Sequence, residues 1–410
     1  DSGRRWRVKD ATGTVRRTVF DGLGRPTESW IGTNDNNWAA YGGDSSGSDT
    51  MTKTETMVYD GGNPKGNSLL TTRTQDPDGD WDNTGTGGHP ADDRRTTTYA
   101  YDARGRVLLT TNPQSPHVLT SYDNLGRVTA TATYSSTASI TPGTTDPTGS
   151  ATNDKANRLS SGSTSYDEMG RVYKTATSKV DLSTGAASGA FTTYSWYDAS
   201  SRVIKTQGQS ITKTVYDRLG RPTNIYTIAK TDDSVYADVD DVVGDNVLEE
   251  RQTIYDATSG VVLFTVGLQR AHDNTTTGAL DGGADADPAT LTCGSANSNV
   301  DTDKIRVSIN ATWYDAMHRV TDTCAYGTNG SGNGTTFTRP GSAPSRSDTE
   351  LVTTTTYGDD GSVLSTTDPR GLITRMTYDA AGRTTKVIRN YVDGTAGGGT
   401  NADEDQIIEY

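Results

Sequence analysis

The sequence predicts an all-β chain, built as a repeat array of stacked β-hairpins that forms a continuous spiralling sheet. Three observations lead there. A phrase of the form aromatic-Asp-x-x-Gly-Arg returns along the whole chain. Thr is about one residue in six and Tyr supplies 20 of the aromatics, residue types that favour a pleated, half-buried surface. Hydrophobic residues are only 31% of the chain and mean hydropathy is −0.68, low for an ordinary globular enzyme. Disorder is the competing reading of so polar a chain, and the regularity of the Tyr positions argues against it.

The aromatic of the phrase falls at Phe20, Tyr59, Tyr101, Tyr122, Tyr166, Tyr197, Tyr216, Tyr255, Tyr314, Tyr357 and Tyr378. The intervals cluster near one, two or three times about twenty residues, the signature of a repeat architecture. Six copies are complete. They are Phe20-Asp21-x-x-Gly24-Arg25, Tyr101-Asp102-x-x-Gly105-Arg106, Tyr122-Asp123-x-x-Gly126-Arg127, Tyr166-Asp167-x-x-Gly170-Arg171, Tyr216-Asp217-x-x-Gly220-Arg221 and Tyr378-Asp379-x-x-Gly382-Arg383. The copies at Tyr197 and Tyr314 keep Arg202 and Arg319 but lose the Gly, and His318 stands in its place in the second. Those at Tyr59, Tyr255 and Tyr357 are more worn.

Each position has a physical reading. Residues before the aromatic alternate, as in Thr374-Arg375-Met376-Thr377-Tyr378, the period-two pattern of a strand. Asp suits the first position of a type I turn, where its carboxylate accepts from backbone N–H groups two residues on. Gly supplies the positive φ of a bulged hairpin loop. After the Arg a β-branched run returns, as in Val107-Leu108-Leu109-Thr110-Thr111. The phrase therefore predicts strand, turn, strand. Asp76-Pro77, Asn112-Pro113 and Asp368-Pro369-Arg370-Gly371 mark connections to the next hairpin. One hairpin is marginal alone, so neighbouring repeats must be each other's partners. Arg is placed to pair with Asp or to lie on the Tyr ring.

These residues resemble the YD repeat of the RHS family, shared with the shells of bacterial toxin complexes and with teneurins. The resemblance spans residues 18–390. It implies a β-spiral, commonly a hollow shell enclosing a toxic C-terminal effector, or an extracellular adhesion module. Shell-forming members end in a core segment with an aspartyl self-cleavage site. Asp368-Pro369-Arg370-Gly371-Leu372 has a similar wording, yet it sits in an ordinary linker with Tyr378-Asp379 directly after.

Residues 1–410 read as a single array excerpted from a longer chain, with insertions near 33–52, 76–95, 135–157, 270–304 and 327–349. These polar stretches are expected to project as loops, the usual carriers of function on a scaffold. Asp76, Asp78, Asp80 and Asp82 offer carboxylates at alternate positions, a pattern suited to Ca²⁺. A solvated acidic loop is the alternative, because Trp81 stands where an EF-hand needs Gly. Trp30, Trp38 and Trp81 are candidates for stacking on sugars. A disulfide between Cys293 and Cys324 would suit an oxidising compartment, and two separate thiols are the alternative.

The net charge of −14 and the absence of basic runs argue against nucleic acid, and no apolar run approaches a membrane span. Gly43-Asp44-Ser45-Ser46-Gly47 matches a nucleophile elbow but lies in low-complexity sequence. Four histidines are scattered, without metal-ligand spacing. The expected function is a non-enzymatic structural segment of a large secreted or cell-surface bacterial protein, forming a toxin shell or an extended filament. Its expected partners are neighbouring repeats, an enclosed C-terminal effector, or other copies in a fibre. The alternative is adhesion to surface glycans through the inserted loops, with Ca²⁺ as the ion that would order them.

Overall fold

A computed structural model describes residues 6–34, 51–62, 66–76, 94–229, 239, 241–280, 290–292, 305–327, 336–391 and 405–410. It is almost entirely β, with 24 strands in antiparallel sheet and a separate two-stranded ribbon of Thr290–Thr292 with Thr336–Thr338. The chain divides into two compact units, Asp1–Thr193 and Tyr194–Tyr410.

In the first unit the strands pair in chain order, each antiparallel to the next. They begin with Arg7–Lys9, Val15–Phe20, Pro26–Gly32 and Thr52–Tyr59. Leu70–Gln75, Arg95–Tyr101, Val107–Thr111, His117–Tyr122 and Val128–Tyr134 follow. Arg158–Tyr166 and Val172–Val180 close the series. The second unit repeats the scheme from Val203–Gln207, Ile211–Tyr216 and Pro222–Ile228 to Ile373–Tyr378 and Thr384–Arg389. Among the described strands of the large sheet, each pairs with the next strand of that sheet in chain order, the expected outcome of a hairpin repeat, while the Thr290–Thr292 and Thr336–Thr338 ribbon stands apart from this scheme.

One face of the sheet carries the core because the side-chain period is two. In the first unit Ala100, Leu109, Leu119 and Ala132 stand opposite one another on successive strands and pack with Tyr134. In the second unit Ile254, Phe264, Ala311, Cys324 and Val352 form such a row. Ile211, Ile228 and Val247 form another.

Parts of the insertions 135–157, 270–304 and 327–349 pack against this face, which corrects the expectation of projecting loops for those parts. The Tyr134 hydroxyl donates to the Asp154 carbonyl (2.9 Å) within insertion 135–157. The buried Arg158 donates to the carbonyls of Pro147, Gly149 and Gly185 at 2.9–3.0 Å. In the second unit Leu280 is buried and its N–H donates to Glu250 (2.8 Å). Phe337 meets Phe264 and Tyr326 edge-on, with ring centroids 5.6 and 5.0 Å apart. The Trp313 indole donates to the Pro340 carbonyl (3.0 Å). A half-polar sheet cannot cover its own apolar face, so the few apolar residues inside the polar insertions supply the cover.

The covered face also holds ions. Lys205 and Lys213 are directly opposed on neighbouring strands and both are buried. Lys213 donates to the Asp245 carboxylate (2.7 Å) and the Asp241 carbonyl (2.6 Å), and Lys205 lies over the Trp196 ring (4.6 Å). Glu250 accepts from Leu280, Gln252 and Asn224. Buried charges need such partners, because an uncompensated one costs several kcal/mol.

Candidate functional site

The repeated phrase forms one and the same turn at nearly every copy. In the copy at Tyr101, the Asp102 N–H donates to the Arg106 carbonyl and the Gly105 N–H to the Asp102 carbonyl, both at 3.0 Å. Asp102 Oδ1 accepts from the N–H groups of Arg104 and Arg106 (2.8 and 3.0 Å), and Oδ2 takes Arg106 Nε (2.6 Å). Gly105 has φ +78°, and the strand register shifts between Ala100 and Tyr101. This is a type I turn closed by a glycine bulge. The Asp–Arg ion pair recurs at Asp21–Arg25, Asp123–Arg127, Asp167–Arg171, Asp198–Arg202, Asp217–Arg221, Asp315–Arg319 and Asp379–Arg383, at 2.6–2.7 Å.

Worn copies keep the shape with other residues. Ser201 and His318 occupy the glycine position with φ of +64° and +60°. At Asp256 the turn is one residue longer, closing from the Asp256 N–H to the Val261 carbonyl (2.8 Å). The linker Asp368-Pro369-Arg370-Gly371 uses the same bonding, with Gly371 at φ +89° and the Leu372 N–H on Asp368. The aspartate of the self-cleavage-like wording is therefore a turn residue paired with Arg370 (2.7 Å).

Sequence reasoning left open whether Arg pairs with Asp or with a Tyr ring. It does both, and the ring belongs to the next repeat. The guanidinium of Arg106 lies 4.7 Å from the Tyr122 ring centroid. Arg25 covers Tyr59 (4.5 Å), Arg127 covers Tyr166 (4.3 Å), Arg202 covers Tyr216 (4.6 Å), Arg221 covers Tyr255 (4.2 Å) and Arg319 covers Tyr357 (4.5 Å). Each of these tyrosines except Tyr59 also donates its hydroxyl back to the carbonyl of the residue following that Arg, at 2.9–3.1 Å. Tyr101, Tyr314 and Tyr378 make the same bond to Leu70, Val262 and Val363. Register explains the bond. Pairing between Val107–Thr111 and His117–Tyr122 stops at Leu109, so the Val107 carbonyl lies beyond that ladder and the phenol takes it.

Electrostatics follow from these contacts. The Arg106 N–H, and then the Arg106 side chain, hold the Asp102 carboxyl below the usual aspartate range against the opposing pull of burial. Asp21, Asp123, Asp315 and Asp379 are lowered with the same leading cause, the N–H of the motif Arg. Burial pushes the Tyr101 and Tyr314 phenols up, so they remain donors.

Most of the other candidates fall outside the described residues. Asp76 is buried at the end of Leu70–Gln75, while Asp78, Asp80 and Asp82 lie outside the described residues. Among the described residues no three His, Cys, Asp or Glu side chains cluster as a metal site. Cys324 is buried in the core of the second unit, and Cys293 lies outside the described residues. So do Trp38, Trp81, His89 and the Gly43–Gly47 stretch. Trp30 is half-buried between the cations of Arg17 and Lys53, each 5.6 Å from its ring, and its indole donates to Glu28 (2.9 Å), so it packs rather than projects. His117 accepts from the Asn112 N–H (3.1 Å) and His318 forms a turn. A shallow open groove at Gly267, with Glu249, Arg251, Gln269 and Asn310, holds no paired nucleophile and base.

Residues 357–396 match the model of the RHS repeat. No curated protein sequence matches the chain. Among solved structures the chain is similar to a TcdB2-TccC3-TEV crystal structure, at 13% identity and a TM-score of 0.37 over 97% of this chain and 18% of that one. It is also similar to a Tc holotoxin pore of Photorhabdus luminescens, at 14% identity and a TM-score of 0.36 over 96% of this chain and 19% of that one. The chain thus spans less than a fifth of each of these proteins.

Proposed function

We propose that this chain, which carries an RHS repeat, is a non-enzymatic wall segment of a larger secreted or surface protein, and that its stacked hairpins enclose a C-terminal polypeptide. The observation that carries this reading is the coupling of six motif Arg residues to the next repeat's Tyr. A residue set written many times and spent each time on joining one hairpin to its neighbour serves construction. The insertions support the same reading, because their described parts seal one face of the sheet.

Electron microscopy of the intact parent protein tests the proposal. A closed, hollow particle is expected. Rods that lengthen with repeat number would replace the enclosing wall by a fibre, and glycan-array binding lost on deletion of residues 76–95 would favour adhesion.

A further inference from the structure

In the second unit, on the face of the sheet opposite the core, two departures from regular strand meet at one groove. Gly267 stands in the middle of Val262–Arg270, between Arg251 and Ser308 on the neighbouring strands. A glycine inside a strand leaves a gap in the side-chain layer and lets another group approach the backbone. Space is what this glycine provides, because a Cβ there would stand 2.9 Å from Ser308 Oγ. Beside it, the register of Pro222–Ile228 with Val247–Tyr255 shifts between Thr227 and Ile228. Leu248 is the extra residue, and it and Glu249 are exposed in succession. Bulges re-aim side chains in this way.

The groove over Gly267 has a volume of about 390 Å³, with Arg251, Gln269, Ser308 and Asn310 around the glycine. A second hollow of about 480 Å³, lined by Asn246, Leu248 and His272, shares Glu249 and Gln269 with it, so the two form one elongated depression. Elsewhere on the sheet, polar side chains on adjacent strands satisfy one another, as Arg73 does with Glu55, Thr133 with Ser160 and Thr356 with Ser365. Arg251 instead faces Ile225 and Gly267. Among the described residues neither Arg251 nor Asn310 has a side-chain hydrogen-bond or ion-pair partner. Glu249 receives only a long bond from Gln269 (3.4 Å). These groups are therefore available to a ligand.

We infer that this depression binds a short stretch of a neutral glycan. Its lining offers a cation, a carboxylate, the amides of Gln269 and Asn310, and the hydroxyls of Thr227, Thr265 and Ser308. Such a set both donates and accepts, which suits a ligand whose hydroxyls do both. Arg251 and Glu249 offset each other, Arg270 at the far end is turned to the carbonyls of Asn274 and Thr276, and the net charge of −14 disfavours an acidic polymer. An extended peptide is disfavoured because Gly267 is paired on both sides, so the groove offers no free strand edge. The large apolar side chains exposed there are Ile225 and Leu248, enough to meet the C–H face of a sugar ring. The site stands whether or not the chain encloses a polypeptide.

A microarray of neutral and acidic glycans, probed with the full chain, tests this. Neutral glycans should be bound. The protein concentration giving half-maximal signal should rise about tenfold in Arg251→Ala and roughly fivefold in Asn310→Ala. Both side chains are exposed, so the thermal midpoints of the variants should match the wild type. No glycan bound by the wild type overturns the inference, as does equal binding by all three proteins or a preference for acidic glycans. Binding that survives both substitutions but is lost on deletion of residues 76–95 would place recognition in the inserted loops and also overturn it. So would capture of peptides from a peptide array, lost in Arg251→Ala, with no glycan bound.

Discussion

The Tyr122 hydroxyl donates to the Val107 carbonyl at 3.0 Å while the Arg106 guanidinium covers the same ring from 4.7 Å. Two repeats are thus joined by one side chain from each. A double-mutant cycle of Arg106→Met and Tyr122→Leu should show a coupling of roughly 0.5–1 kcal/mol in denaturant unfolding. Tyr122→Phe, which keeps the ring, should cost about 1 kcal/mol by removing the hydrogen bond alone. Additive single mutants would mean that the ring and the cation do not interact.

Turn conformation gives a prediction with opposite signs at two sites. Gly105 has φ +78°, so Gly105→Ala should destabilise by roughly 1–2 kcal/mol. Ser201 holds the equivalent position at φ +64°, and Ser201→Gly should stabilise by up to about 1 kcal/mol. Chemical denaturation midpoints of the two variants should move in opposite directions.

Acid should loosen the turns together. The carboxyls of Asp21, Asp102, Asp123, Asp315 and Asp379 are more acidic in the folded chain than the usual aspartate. A depressed folded value stabilises above the unfolded pKa, and that contribution is lost as pH falls through the folded one. Thermal midpoints should be level above about pH 5 and fall below about pH 4. An Asp102→Asn, Asp123→Asn variant should start lower at neutral pH and show a shallower acid drop.

The ion pair of Lys213 with Asp245 is enclosed on the covered face, with side chains 3% and 9% exposed. Asp245→Ala should cost roughly 3–5 kcal/mol, because it removes the carboxylate that compensates a buried ammonium. Lys213→Met with Asp245→Leu should recover most of that loss. Equal damage from the single and double variants, read by thermal unfolding, would refute a pairing role.

Much of this architecture was legible in residues alone. Asp102 and Gly105 announced a bulged turn, and the alternation before Tyr378 announced a strand, because both are local requirements of backbone geometry. The identity of the Arg–Tyr partners was not legible. It depends on how far the next strand extends past Leu109, which is a property of register between strands. The covering role of the insertions was hidden for a related reason. Leu280 and Phe337 are lone apolar residues in polar sequence, and only the exposed sheet face beneath them gives them a purpose. The burial of Lys205 and Lys213 was hidden too, because it depends on the register that sets them opposite each other and on the 241–245 segment that receives Lys213.

The joint between repeats has an arrow. Where the joint forms, the Arg reaches toward the C-terminal neighbour and the Tyr reaches back, so the two ends of a run of such hairpins are chemically unlike. At Arg383, which keeps Asp379, the side chain is 81% exposed, whereas Arg106 and Arg127 under their rings are 25 and 29% exposed. During synthesis the N-terminal hairpin of each pair leaves the ribosome first, so its Arg and its open carbonyl are already placed when the next Tyr emerges. Assembly can then proceed vectorially, each hairpin templating its successor, and peeling from the two ends must break the joints in opposite order.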